Sequence, residues 1–171
     1  MKFTMYRHAR TSRGFTLVEM MIAITVMAIL MAVAVPSYRD ASLGSQLRAA
    51  ANELFSGIAL ARSEAIKRNA VVTLCVSADG AACGAGGWEQ GWIVLQGGTV
   101  IHRQHAARTG FRISATGGLD TLDFQPIGAG ATSTTFTVCR ATPSIGKQER
   151  VVTVDATGRG WVKATNLASC P

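Results

Sequence analysis

Arg13-Gly14-Phe15-Thr16-Leu17-Val18-Glu19 opens an apolar run that ends at Pro36, and the whole fold follows from how this stretch is read. Between Glu19 and Arg39 there is no charged side chain. Upstream, Lys2, Arg7, Arg10 and Arg13 are basic and no acid interrupts them. A basic head keeps to the cytoplasmic side, a helix-forming apolar run enters a bilayer, and a lone acid needs a partner. At ~1.5 Å per residue, a helix from Phe15 to Val35 spans about 30 Å, enough to cross a hydrocarbon core. No small-x-small cleavage site at the end of the run is convincing, because Val33-Ala34-Val35 continues into Pro36-Ser37-Tyr38 and then a helical pattern. The better scissile bond is Gly14–Phe15, where glycine admits close backbone approach and cleavage leaves the apolar helix on the mature chain.

Working outward, residues 1–14 read as a leader, 15–38 as the transmembrane or filament-core helix and 39–171 as a translocated domain. Helix is expected from Phe15 to about Asn69, with Pro36 as a kink or local break. Beyond Gly44 the pattern turns amphipathic. Leu47, Ala51, Leu54, Ile58, Ala61 and Ala65 recur at spacings of three and four, whereas Arg48, Asn52, Arg62 and Lys67 point elsewhere. Glu64 and Arg68 form an i,i+4 pair. Strand signals follow at Val71–Val76, Trp92–Leu95, Val100–Arg103, 110–115, 121–125, 134–140, 150–155 and 160–163. Gly97-Gly98 marks a hairpin, and Asp79-Gly80 and Gly84–Gly87 mark turns. With no helix between the strands, the expected class is α+β: a long N-terminal helix packed on one mainly antiparallel sheet.

Bulk composition fits one ordinary domain plus the apolar segment. The formal charge over 171 residues is +7; removing the four bases of the head from the total of 17 leaves 13 against 10 acids, a net +3. Such a mild excess is weak support for a nucleic-acid partner. Cys75, Cys83, Cys139 and Cys170 all lie beyond the apolar run, without CxxC spacing or nearby histidines for zinc. Four cysteines allow three pairings; the expected one joins Cys75 to Cys83 and Cys139 to Cys170, on the oxidising side of the membrane.

The basic leader, Gly14-Phe15-Thr16-Leu17-Val18-Glu19, the apolar helix and Val35-Pro36-Ser37-Tyr38 together closely resemble the type IV pilin superfamily. Asn52-Glu53-Leu54, Ala61 through Asn69, Val72-Thr73-Leu74-Cys75, Gly91-Trp92-Ile93-Val94 and Asp155-Ala156-Thr157-Gly158-Arg159 are similar to GspH/FimT-type minor pilins and pseudopilins. The resemblance implies a pilin fold and a prepilin peptidase that cuts after Gly14 and methylates the amine of Phe15. It also implies residence in the bacterial inner membrane, single-pass with the C-terminal domain periplasmic. From there, an assembly platform would draw the helix into a filament of other major and minor pilins or pseudopilins. In filaments of this superfamily the helix commonly melts near the proline that Pro36 matches. A carboxylate at the membrane-buried part of a helix costs roughly 2.5–3.5 kcal/mol. In a staggered bundle the cationic amine of a neighbour's Phe15 offsets that cost for Glu19 and fixes axial register. The competing reading is an uncleaved signal anchor with Glu19 at the interface.

No enzyme signature stands out and no cofactor is expected. His102-x-x-His105 follows a strand and lacks a third zinc ligand, and Gly128-x-Gly130 lacks the strand-to-helix context of a nucleotide loop. Trp88, Trp92 and Trp161 read as core or sheet-packing residues. Arg140, Lys147, Arg150, Arg159 and Lys163 lie among only two acids, Glu149 and Asp155, so a DNA-contacting face is possible if the last strands gather them. FimT-type pilins that bind DNA carry Gly-Arg-x-Arg here; this chain has Gly158-Arg159-Gly160-Trp161 and lacks the second arginine. The expected function is a minor pilin that helps initiate or cap a type IV pilus. The alternatives are a GspH-type pseudopilin of a type II secretion system and a DNA-binding pilin for natural transformation.

Overall fold

The structure, a computed structural model, describes residues 14–128, 132–142, 148–165 and 170. The expected leader, but for Gly14, and Lys147 lie outside them. The chain divides into two compact units, Met1–Arg39 and Asp40–Pro171. One helix, α1 (Leu17–Arg68), contributes to both. In the first unit every described residue, from Gly14 to Arg39, is exposed. α1 is long and apolar enough to cross a membrane. Pro36 does not break it: the helix is continuous from Leu17 to Arg68. A proline removes one backbone donor and crowds the preceding turn, which bends or weakens a helix without having to end it. Thr25, a polar residue within the run, donates its hydroxyl to the carbonyl of Met21, so its donor is satisfied inside the helix.

In the second unit the stripe on α1 becomes a core. Leu47, Ala51, Leu54, Ile58, Ala61 and Ala65 are each at most 1% exposed. Each leucine or isoleucine buried this way contributes about 1.5–3 kcal/mol. Asn69, at φ 49°, ends the helix. Its N–H donates to Ile66 O and that of Ala70 to Ala65 O, each at 3.3 Å, so two carbonyls of the last turn are satisfied. Asparagine tolerates this left-handed conformation better than any β-branched residue.

Eight strands follow: β1 (Val72–Val76), β2 (Trp92–Gln96), β3 (Thr99–Gln104), β4 (Phe111–Ala115), β5 (Thr121–Phe124), β6 (Thr134–Arg140), β7 (Glu149–Val154) and β8 (Gly160–Thr165). All pairings are antiparallel. The single sheet expected from sequence is in fact two, ordered β3-β2-β1-β5 and β4-β6-β7-β8. Consecutive strands β4 and β5 belong to different sheets, so chain order conceals the division. Val72, Leu74, Val76, Trp92, Val94, Leu122 and Phe124 from the first sheet join Phe111, Ile113, Phe136, Val138, Val152 and Val154 from the second in one core with the helix stripe. The β2–β3 hairpin turns at Gly97 and Gly98, both at positive φ, and β3 carries one extra residue where the register shifts beside Val94.

Two contacts organise this core. Trp92 lies against the helix at Gly57, where an added Cβ would sit 2.2 Å from the indole Cη2, so only glycine lets ring and helix meet. Trp88 donates its indole N–H to Leu119 O at 2.8 Å and meets the Phe136 ring edge-on at 4.9 Å. Two disulfides fix the periphery: Cys75 with Cys83, and Cys139 on β6 with Cys170. Trp161, in contrast, is 48% exposed and opposite Thr153 on the outer face of the second sheet.

Candidate functional site

The start of α1 concentrates the candidate assembly residues. Gly14 and Phe15 are exposed and lie just ahead of the helix. Thr16 and Glu19 form a reciprocal cap: the N–H of Glu19 donates to Thr16 Oγ1 at 3.2 Å, and the N–H of Thr16 reaches Glu19 Oε2 at 3.5 Å. Glu19 thus has a partner within its own chain, in addition to the intermolecular one expected from sequence. The signal was readable, since Thr16-x-x-Glu19 is the capping-box spacing in front of an apolar run. The contact is compatible with cleavage at Gly14–Phe15, because both residues lie beyond that bond. Its long Thr16 arm and full exposure make it a weak contact that a cationic partner can displace. Pro36 lies farther along the helix and is exposed, one turn ahead of Arg39 and Asp40.

Among the described basic residues near the C-terminus, Arg140 and Arg150 share one face of the second sheet, whereas Lys163 and Arg159 lie elsewhere. Arg150 pairs across the sheet with Val138, and Arg140 with Phe111, so both share the core-facing side of the second sheet. Arg140 lies 4.9 Å over the Phe111 ring and donates to Gln46 Oε1 at 3.4 Å. Arg150 turns back to the carbonyl of Glu149 at 2.8 Å. Lys163 pairs with Val151 and so takes the opposite face. Arg159 stands in the β7–β8 turn, at the other end of the hairpin from Arg150. Alternation along paired strands therefore splits this set between two faces.

The turn that holds Arg159 is preorganised. Asp155 Oδ1 accepts from the Thr157 hydroxyl at 2.6 Å and from the N–H groups of Thr157 and Arg159, each at 2.9 Å. The Thr157 hydroxyl, followed by the Arg159 N–H, holds this carboxyl below the usual aspartate range. Asp79 does the same for the loop inside the Cys75–Cys83 bridge, held low chiefly by the N–H of Ala81 and then that of Ala82. On α1, the Glu64 carboxylate is also lowered, first by its hydrogen bond from Arg68, with Lys67 adding to it.

A concavity of about 390 Å³ lies between the turn and the helix, lined by Phe55, Ile58, Arg62, Ile66, Arg159 and Gly160 among others. Arg62, which the sequence placed only on the polar side of the helix, is held there by donating Nε to Gly128 O at 2.7 Å. Elsewhere, His102 is exposed with its ring 5.6 Å from that of Trp92, and among the described residues no three His, Cys, Asp or Glu side chains are grouped to hold a metal.

Known proteins agree with this architecture. Residues 9–35 match the prokaryotic N-terminal methylation motif, and residues 50–158 match the family described as type II transport protein GspH. No curated protein sequence matches the chain. The fold is similar to the crystal structure of the type IV minor pilin FimU of Pseudomonas aeruginosa, at TM-score 0.58 and 22% identity, covering 73% of this chain and 93% of that one. It is also similar to the minor pseudopilin EpsH of the Vibrio cholerae type 2 secretion system, at TM-score 0.50 and 14% identity, covering 70% and 97%. The GspH match spans more than half of the sequence and sits behind a methylation motif, so the chain belongs to the GspH family and is a GspH/FimT-like member of the type IV pilin superfamily.

Proposed function

We propose that the chain is a minor pilin, processed between Gly14 and Phe15 by a prepilin peptidase and assembled through α1 to help initiate or cap a type IV pilus. Before assembly it waits in the inner membrane with residues 39–171 in the periplasm. The observation that carries this reading is the wholly exposed apolar stretch of α1 directly behind Gly14-Phe15, with a single acid one turn in. Such a surface is too extensive for water and matches lipid first and a bundle of like helices afterwards.

Glu19 gives the transfer its direction. In the waiting state its carboxylate caps its own helix through Thr16. In the filament the amine of a neighbour's Phe15, which exists only after cleavage, replaces that weak cap with an ion pair in a low-dielectric setting. Pro36 marks where α1 yields as the packed helices adjust. The two disulfides hold the domain together on the oxidising side.

A second reading is favoured by the family match itself: the same parts would serve a GspH-type pseudopilin of a type II secretion system. The scattered arginines weigh against DNA as the principal partner, since a duplex needs several cations on one face. Mass spectrometry of the mature chain tests the common core, and an N-methylated Phe15 is the expected result. A chain still beginning at Met1 is the outcome of a signal anchor and ends the assembly reading. Deletion scored separately for twitching, secretion and transformation then assigns the machine; a defect confined to secretion transfers the chain to the second reading.

A further inference from the structure

We infer that the groove between α1 and the β7–β8 turn receives an acidic segment of a neighbouring subunit, one carboxylate seated between Arg62 and Arg159 and flanked by apolar side chains. The inference rests on the assembly reading above and adds to it the place and chemistry of one lateral contact.

Three observations carry it. The groove holds two guanidinium groups and no acid: its lining is Phe55, Ile58, Ala59, Arg62, Ser63, Ile66 and the Gly158-Arg159-Gly160 turn. All ten acids of the chain lie within the described residues, and none makes a salt bridge to either arginine. Arg159 is exposed and its side chain donates no hydrogen bond to a described residue, while Arg62 is half-buried and spends only Nε on Gly128. Asp155 feels the charge of Arg159 but its Oδ1 is spent on the turn, so a carboxylate entering the cleft is what offsets the mutual repulsion of the two guanidinium groups. Second, both are fixed in place, Arg62 by Gly128 and the Arg159 backbone by Asp155, so their ordering cost is partly met before binding. Third, the groove has an apolar side. Ile66 is 52% exposed, Phe55 is half-buried, and Gly160 lacks the Cβ that would lie 3.1 Å from the Phe55 ring.

That mixture selects a peptide over a nucleic acid. A hydrated phosphate backbone gains nothing from Phe55 and Ile66 and needs a track of cations, whereas none of Arg140, Arg150 and Lys163 lines this groove. A carboxylate between apolar neighbours uses both parts, with guanidinium forks suited to its two oxygens. At about 390 Å³ the cleft takes a few side chains, not a folded domain.

The test uses the full-length chain in the membrane of cells that assemble it, with Ala59, exposed on the groove wall, replaced by a photo-crosslinking residue. Illumination is expected to capture a segment of another pilin-fold subunit that contains Asp or Glu, identified by mass spectrometry. Arg159→Gln should cut the yield about tenfold, the loss expected when a charged hydrogen-bond partner is removed. Combining Arg159→Glu with lysine at the captured acid should restore it. Capture of a segment without an acid, capture of nucleic acid, no capture, or a yield indifferent to Arg159→Gln overturns the inference. Processing at Gly14–Phe15 and recovery in filaments are scored on the same samples. If both persist without the crosslink, the groove inference falls alone; an unprocessed chain removes the assembly reading and this one with it.

Discussion

The two halves of α1 obey the same backbone geometry and different solvents. From Leu17 to Arg39 no side chain is buried, although Leu17, Ile22, Ile29 and Val33 are as hydrophobic as anything in the core. From Gly44 onward the helix is polar on most of its surface, yet its one apolar stripe is sealed almost completely. Amphipathicity and burial therefore go together only where a sheet is available to cover the stripe. The first half, apolar all round, has no preferred face for a sheet and is suited to lipid or to like helices on every side. A substitution on one half should leave the other indifferent, and that independence can be broken experimentally.

The largest effect is expected at Glu19. Glu19→Leu should leave the chain in the membrane fraction but reduce its recovery in sheared filaments by about tenfold or more, as loss of a low-dielectric ion pair requires. Immunoblots of the two fractions check this; equal recovery would mean that Glu19 does no more than cap its helix.

Leu54→Ala and Leu30→Ala then set the two halves side by side. Leu54 is fully buried, so its truncation should destabilise the domain by about 2–5 kcal/mol in chemical denaturation. Leu30 is 64% exposed, and its truncation should change that stability by less than about 0.5 kcal/mol. A comparable loss at both positions would show that the apolar half packs on the domain.

Next come the disulfides. Loop-closure entropy makes the bridge of sequence separation 31 worth about 4 kcal/mol and that of separation 8 about 2.5 kcal/mol. Paired Cys139→Ser/Cys170→Ser and Cys75→Ser/Cys83→Ser variants, compared by denaturation midpoint, should follow that order. Gly57→Ala should cost about 1–3 kcal/mol because the new methyl strikes Trp92, outweighing the helix propensity that alanine gains.

The smallest effect concerns pH. Asp155 and Asp79 have carboxyl groups lowered in the folded state, so their stabilisation is present above the ordinary aspartate pKa of about 3.9. It is lost as the pH falls through their folded-state values. Asp155→Asn keeps an acceptor oxygen in the turn but cannot titrate. Denaturation midpoints measured from pH 5 downward should fall less steeply for this variant than for the natural sequence.

Much of this molecule was legible in its sequence because the relevant physics is local. Side-chain periodicity placed the stripe from Leu47 to Ala65, β-branched runs located all eight strands, and Gly97-Gly98 marked its hairpin. At the candidate site, Gly14, Phe15 and Glu19 stand out by charge, size and position, and the structure places them at the start of α1. The Thr16 cap is equally local, but a lone acid before an apolar run points as readily to a distant charge partner as to its own helix. Trp92 against Gly57 was not legible, since residues 35 positions apart meet only when β2 lies across the helix.

By itself, then, the sequence determined a long helix that is apolar all round in its first half and striped in its second, eight strands and the family to which the chain belongs. Tertiary structure alone decided that the strands form two sheets and that Arg140 and Arg150 face one way while Lys163 faces the other. It also decided that Arg62 and Arg159, 97 positions apart, line one groove. The physical reason is that periodicity fixes which residues share a face within one element. Which faces meet depends on strand pairing and register, and those are set by the free energy of closing the whole core.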